Sequence, residues 1–282
     1  MEKKRGRVVR LVDVCSGIGG MSLGLERAGM TTVAFCEIDP FCRKILKKHW
    51  PDVPVFEDLK ELASEPRGTI PEFDIIAGGV PCQPFSVANA NKRKGQEDDR
   101  HLWPFMFEII KQQEPAFVLV ENVAGFVNMA LDDVLTDLES EGYASQSYLI
   151  PACSVDAPHR RERCWVISYS DRRGKPEQIV AKQKIRKRIT NHCAYVADSK
   201  GERMERHWTS GVEESQASSG SRLPRRNSAR GEPAVWPPEP WVGRVADGVP
   251  NRVDRIKGLG NAVVPPLVEV LGHAIMEEYY GP

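Results

Sequence analysis

Residues 78 to 100 read GGVPCQPFSVANANKRKGQEDDR, and their one cysteine, Cys82, stands between two prolines. A thiol in so stiff a turn is presented rather than packed, because proline fixes the backbone and removes donors. A second reactive group follows in AFVLVENV, where Glu121 falls near the end of an apolar run. A thiol nucleophile beside a carboxyl suits covalent addition to an electron-poor ring. The carboxyl, if protonated, hydrogen-bonds or protonates a ring nitrogen as the thiolate attacks. The third element is HRRERCWVIS, with Arg161 and Arg163 two apart at the start of a strand-like run. Residues two apart on a strand share a face. Two guanidiniums there could order a carboxylate, a base oxygen or a phosphate, or simply make a charged strand edge.

Such residues converge only if the elements carrying them end at one place. VVRLVDV, TTVAFCEID, FDIIAGG and AFVLVENV read as strands. MSLGLERAG, PFCRKILKKHW and HLWPFMFEIIKQQEP read as the helices between them, and the stretch from Phe126 to Gly142 as another. YASQSYLI and CWVISYS are further strands, and LGNAVVPPLVEVLGHAIMEEYY is a turn followed by an amphipathic helix. Strands alternating with helices imply a mostly parallel, doubly wound α/β sheet, whose ligands lie beyond the carboxyl ends of the strands.

The first strand leads into DVCSGIGGMSLGLERAG, where glycines let the chain turn tightly and approach a ligand. Glu37, in CEID, ends the next strand where an acid can take ribose hydroxyls. Asp58, in FEDL, falls at a strand tip and could accept from an adenine amino group. Together these describe a nucleoside-binding crevice. The glycines at 17, 19, 20 and 24 do not make G-x-G-x-x-G, which argues against a nicotinamide dehydrogenase. Taken alone, Glu37 and Asp58 also fit ordinary solvated strand-end acids.

The chain has 282 residues and is 41% hydrophobic, which suits a globular core. The basic start MEKKRGRVVR lacks an apolar signal region and no apolar run approaches a membrane span, so a cytoplasmic protein is expected. Seven scattered cysteines with no C-x-x-C pair point to reduced thiols and no metal site. Formal net charge is zero, yet residues 171 to 230 hold 15 Lys+Arg against 7 Asp+Glu. A basic segment on an acidic body suggests a polyanion partner, or else a solvated insert. Its Ser, Gly, Arg and Gln content reads as a partly flexible region.

The ordered series DVCSGIGGMSLGLE, CEID, FED, GGVPCQPFS, FVLVENV, APHRRERCWVI and GLGNAVVPP resembles the DNA (cytosine-5)-methyltransferase family, in its compact bacterial or phage form. The resemblance covers residues 10 to 170 and 255 to 270. It implies the Rossmann-like fold of S-adenosylmethionine-dependent methyltransferases, with residues 1–170 catalytic and cofactor-binding. Residues 171–250 would be a small target recognition region, and 251–282 a segment that returns to complete the catalytic domain. Cys82 would add to cytosine C6, and Glu121 would contact N3 and the 4-amino group. Arg161 and Arg163 would hold the flipped base or its phosphate. Cys15, Gly17, Ile18, Gly19, Gly20, Glu37, Ile38, Asp58, Pro81, Trp103, Asn261, Ala262 and Val263 would bind S-adenosylmethionine. Gln83, Ser86, Arg93, Arg100 and Asn122 would meet duplex DNA, with residues 86 to 100 as a lid over the flipped cytosine. The implied protein is a monomer with no metal, with a cognate restriction endonuclease as a possible partner.

Several positions depart from the family's pattern. Cys15 stands where an aromatic residue is common, His159 where glutamine is usual, Ala262 in place of a serine and Trp103 in place of an aliphatic residue. Two other readings stay open. One is a tRNA cytosine-5 methyltransferase of the same fold, and the other a DNA-binding relative without turnover.

Overall fold

A computed structural model of the chain describes residues 8–81, 101–170, 189, 197–198 and 252–280. Eight strands form one sheet: β1 (Arg10–Val14), β2 (Thr31–Cys36), β3 (Val55–Phe56), β4 (Ile75–Gly78), β5 (Phe117–Val123), β6 (Tyr143–Pro151), β7 (Glu162–Ser170) and β8 (Ala197–Asp198). Their spatial order is β3-β2-β1-β4-β5-β7-β6-β8. The first five are parallel. The doubly wound α/β class expected from the alternating pattern is therefore present, and the order reverses between β1 and β4. That is where such sheets open a crevice.

The remaining strands break the pattern. β7 runs antiparallel to both β5 and β6, and β8 antiparallel to β6. Only a short 3₁₀ turn, Ala152–Val155, starts the connection from β6 to β7. With no helix to carry the chain across a sheet face, the next strand returns alongside the last. The antiparallel return brings the start of β7 beside the end of β5, pairing Arg163 with Val123 and Trp165 with Glu121.

The helices are α1 (Gly20–Arg27), α2 (Pro40–His49), α3 (Leu59–Ser64), α4 (Trp103–Gln113), α5 (Leu131–Ser140), α6 (Arg252–Asn261) and α7 (Pro265–Tyr280). The single helix expected over Phe126 to Gly142 is divided into a 3₁₀ turn, Ala124–Asn128, and α5. The turn expected at Leu259 to Val263 is shorter than the sequence suggested, because α6 runs to Asn261. Val253–Glu277 is long and apolar enough to cross a membrane by length and composition. It is broken between α6 and α7, however, and Leu267, Val268, Leu271 and Ile275 are buried in the core.

The sheet separates two apolar layers. Leu11, Leu25, Ile75, Leu119 and Ile167 pack with α7 on one face, and Val12, Ile76, Met106, Val118 and Leu138 fill the other. α1 and α7 approach closely because Gly24 meets Val268 and Pro265, and Gly272 meets Ala28. A Cβ at Gly24 would lie 2.6 Å from the Pro265 carbonyl oxygen, and one at Gly272 2.7 Å from the Ala28 Cβ. The last helix of the chain is thereby seated on the first, which brings residues 258–263 over the turn after β1.

Candidate active site

A crevice of about 850 Å³ opens at the carboxyl ends of β1, β2, β4 and β5. One end is rich in carboxylates. β1 leads into a turn in which Cys15, Gly17 and Gly19 all have positive φ (52°, 55° and 85°). The turn is held from across the sheet. Gly17 N donates to Glu37 Oε2 at 2.6 Å, and Asp39 N donates to Glu37 Oε1 at 2.8 Å. Glu37 is buried, and each of its oxygens accepts a backbone N–H. Asp39 caps α2 by accepting from Phe41 N at 2.9 Å, and Asp58 caps α3 by accepting from Lys60 N at 2.8 Å. A short polar side chain before a helix is well suited to both tasks.

Deeper in, Asp13 is almost wholly buried at 1% exposure. Its Oδ2 accepts from Ser22 Oγ at 2.8 Å and Ser22 N at 3.2 Å, while Oδ1 has no partner. Burial pushes its pKa up to about 7, against the pull of the Ser22 hydrogen bonds. Cys36 and Cys42 also line the crevice. Burial, aided by Glu37, pushes them to about 12 and about 11, so both are neutral thiols at ordinary pH. The last wall comes from residues 257, 258 and 260–263. A Cβ on Gly20 would stand 3.2 Å from Val263 Cγ2, so glycine lets this wall close in. Lys257 Nζ reaches Asp39 Oδ2 at 2.9 Å, joining α6 to the start of α2.

The other end is basic. Glu121, buried near the tip of β5, pairs with Arg163 Nε at 2.9 Å through Oε1. Burial raises the proton affinity of this carboxyl, while the charges of Arg163 and Arg161 and the Arg163 hydrogen bond oppose the rise. The net direction is upward, since burial outweighs the opposing guanidinium charges. A Cβ on Gly79 would lie 3.1 Å from Glu121 Oε2, so the strand end leaves room for the acid. Arg161 Nη1 donates to Gly260 O at 2.6 Å.

Most of the expected residues line this one crevice. Cys15, Gly17, Gly20, Glu37, Ile38, Asp58, Pro81, Glu121, Asn122, Arg161, Arg163, Asn261, Ala262 and Val263 all do so. Three expectations need correction. Arg161 is not on the strand, since β7 starts at Glu162 and Arg161 turns with φ 29°. It reaches the crevice through that turn and not by strand alternation. Trp103 does not border the crevice; Leu102 does. The Trp103 ring is buried, stacked on Phe107, and its Nε1 donates to Asp137 Oδ2 at 2.7 Å, which draws the indole toward α5. Ile18 and Gly19 belong to the turn but not to the lining. Ile18 lies against Gly258, and the Cα of Gly19 faces the Trp50 ring. Asn122 uses its amide on the chain itself: Nδ2 donates to Val80 O at 3.0 Å, bracing the approach to Pro81 and Cys82. Cys82, Gln83, Ser86, Arg93 and Arg100 lie outside the described residues, as does nearly all of 171–250.

Asp13, Asp39, Leu102 and Lys257 line the crevice without having been singled out from the sequence. Only Asp39 carried a signal, since Asp before Pro40 is a helix-start pattern.

With this geometry in place, comparison with known proteins is decisive. A model of the C-5 cytosine-specific DNA methylase family matches residues 9–229. The chain belongs to this family. Among curated family relatives it is 34% identical over 157 residues to the Type II methyltransferase M.NgoMIV of Neisseria gonorrhoeae, covering 54% of this chain and 49% of that protein. It is 32% identical over 198 residues to the Type II methyltransferase M.AquIA of Picosynechococcus, covering 64% of this chain and 76% of that protein. The match to M.HgiCII of Herpetosiphon aurantiacus, at 30% identity, covers 60% of this chain and 39% of that one. The chain thus spans half or less of the length of two of these three relatives. The fold of the chain matches that of the S. pombe Dnmt2 methyltransferase with a TM-score of 0.50, at 22% identity over 59% of this chain and 52% of that one.

Proposed function

We propose that the chain transfers a methyl group from S-adenosylmethionine to carbon 5 of cytosine in duplex DNA, through addition of Cys82 to C6 of a flipped base. The observation that carries this reading is the Glu121–Arg163 pair. A buried carboxyl, 2.9 Å from a guanidinium, shares one crevice with the glycine turn and with Pro81, the residue before Cys82.

The residues present fit S-adenosylmethionine at the acid end. A Cβ at Gly17 would meet nothing within 4 Å, which leaves open space beside the turn. The unpartnered Asp13 Oδ1, with Glu37 and Asp58 near it, gives a cationic, hydroxyl-bearing ligand its acceptors. Ile38, 68% exposed, offers an apolar edge to a purine. When bound, the cofactor supplies the electrophilic methyl group.

The chain's own residues supply the rest. A flipped base leaves the stack at a cost of roughly a few kcal/mol. The Cys82 sulfur bonds to C6 and the ring's electrons move toward N3, where the protonated Glu121 carboxyl donates. Arg163 holds that carboxyl in place. The ring then has a nucleophilic C5, which takes the methyl; a base removes the C5 proton, and the C6–S bond breaks to release Cys82. Splitting one hard substitution into addition and elimination is what covalent catalysis offers. Residues 171–250 act as the DNA recognition region, in keeping with their charge. The Type II names of the relatives support a modification role beside a restriction endonuclease.

The test uses the full chain, labelled S-adenosylmethionine and unmethylated plasmid DNA, with tRNA as a second acceptor. Label should enter cytosine in DNA and vanish in Cys82→Ser. Label in tRNA alone would favour the RNA reading, and label surviving the substitution would remove Cys82 from the mechanism. Methylome sequencing of cells expressing the chain then reads the target.

A further inference from the structure

The two ends of the crevice bind different ligands, and one side chain joins them. Arg161 sits in a left-handed turn at φ 29°, unusual for a residue with a side chain. The turn is tied back where Ala152 N donates to Arg160 O at 2.7 Å. From there the guanidinium donates through Nη1 to Gly260 O, at the end of α6. Gly260 and the three residues after it wall the cofactor end. The charge of Arg161 also acts on Glu121, and the like charge of Arg163 acts on Arg161. Its Nε is buried and has no partner. A desolvated donor beside a second guanidinium calls for an acceptor, and Arg161 is one of the residues that line the crevice.

Resting on the methyltransferase reading above, we propose that Arg161 is a coupling residue, through which a nucleotide oxygen at the base end and the cofactor at the other end strengthen each other's binding. An oxygen accepting from Nε meets the unmet donor and offsets the repulsion from Arg163. The guanidinium is then held in the orientation that keeps Nη1 on Gly260 O, so the cofactor wall stays closed. Because coupling of this kind is reciprocal, a closed wall presents Nε to DNA by the same factor. Arg161 therefore acts as a positioning residue, distinct from Arg163, whose partner is Glu121 itself.

The experiment measures Kd for S-adenosylhomocysteine by calorimetry, with and without linear unmethylated plasmid DNA, and Kd for that DNA with and without S-adenosylhomocysteine. In the wild-type chain each ligand should tighten the other by the same factor, about five-fold or more. Arg161→Ala should bring the factor to about one, and Arg161→Lys, which keeps one donor but not the planar fork, should keep part of it. Lys257→Ala should weaken S-adenosylhomocysteine equally with and without DNA and leave the factor intact. A wild-type factor of one with both ligands bound, or an Arg161→Ala chain that retains the wild-type factor, overturns the proposal. A wild-type chain that binds neither ligand overturns the methyltransferase reading, and the coupling with it.

Discussion

The acid and basic ends of the crevice are built in opposite ways. At the acid end the carboxylates are held by short-range backbone donors. Asp39 and Asp58 cap the helices that follow them, and Glu37 accepts from Asp39 N two residues on. Its one longer tie, to Gly17, spans a single βα unit. At the basic end the partners are side chains and carbonyls from far along the chain. Arg163 meets Glu121 across an antiparallel strand pair, and Arg161 meets a carbonyl 99 residues away. The acid end is thus preorganised by local folding, while the basic end exists only once the sheet and the C-terminal helices are assembled. Substitutions at the two ends should separate cofactor binding from chemistry.

The largest separation is expected for Glu121→Gln. It keeps the shape of the side chain but removes the acid, and it leaves Arg163 without its charge partner. Loss of a positioned general acid costs about 10²–10⁴ in rate. Single-turnover methyl transfer should fall by that range while Kd for S-adenosylhomocysteine stays within about two-fold. A matching loss of cofactor affinity would mean that the two ends are one energetic unit.

Next is the pH dependence that Asp13 gives to stability. Its pKa is about 7 in the folded chain and near the ordinary 3.8 when unfolded, so between these values the folded state holds the extra proton. Stability from this group is fully present below pH 3.8 and is lost as pH rises through 7. The loss is at most about 4 kcal/mol, since each tenfold change in proton affinity is worth about 1.4 kcal/mol. Asp13→Asn removes the ionisable group. The difference in urea midpoint between variant and wild type should therefore widen in the variant's favour from pH 5.5 to pH 8. A constant difference would mean that Asp13 is ionised throughout and that its Ser22 bonds outweigh its burial.

Glu37→Gln probes the acid end directly. One of the two bonds from backbone N–H groups becomes a neutral bond and the other is lost, because the amide nitrogen cannot accept; the change is about 1–3 kcal/mol. Cofactor Kd should rise about ten-fold or more, with DNA affinity measured without cofactor unchanged. Equal losses in both would contradict the local construction of this end.

The same contrast explains what could be read from the sequence. Local devices leave local signals: glycines after a strand, an acid at a strand tip, Asp before Pro40. From these the crevice, its glycine turn and the doubly wound sheet were legible. The long-range devices left none that spacing could expose. Arg161 and Arg163 look like a strand pair until the turn at φ 29° separates their roles. Trp103 looks like a cofactor neighbour until Asp137, 34 residues on, claims its indole. Asn122 was legible as a crevice residue, but not the tie from its amide to the Val80 carbonyl, 42 residues back.

The smallest effect is expected where the two kinds of construction meet. Lys257, on α6, reaches Asp39, on the acid end, at 2.9 Å. This hydrogen-bonded pairing holds the Asp39 carboxyl below its usual range. Lys257 is 63% exposed, so water and salt screen the pair, and exposed ion pairs of this kind contribute about 0.2–1 kcal/mol. Lys257→Ala should weaken cofactor binding by no more than about five-fold in low salt. The difference from wild type should disappear near 1 M salt, where the screening length is about 3 Å. A salt-independent loss would instead mean that the lysine stem packs against the cofactor, and that α6 belongs to the acid end as wall and not as clasp.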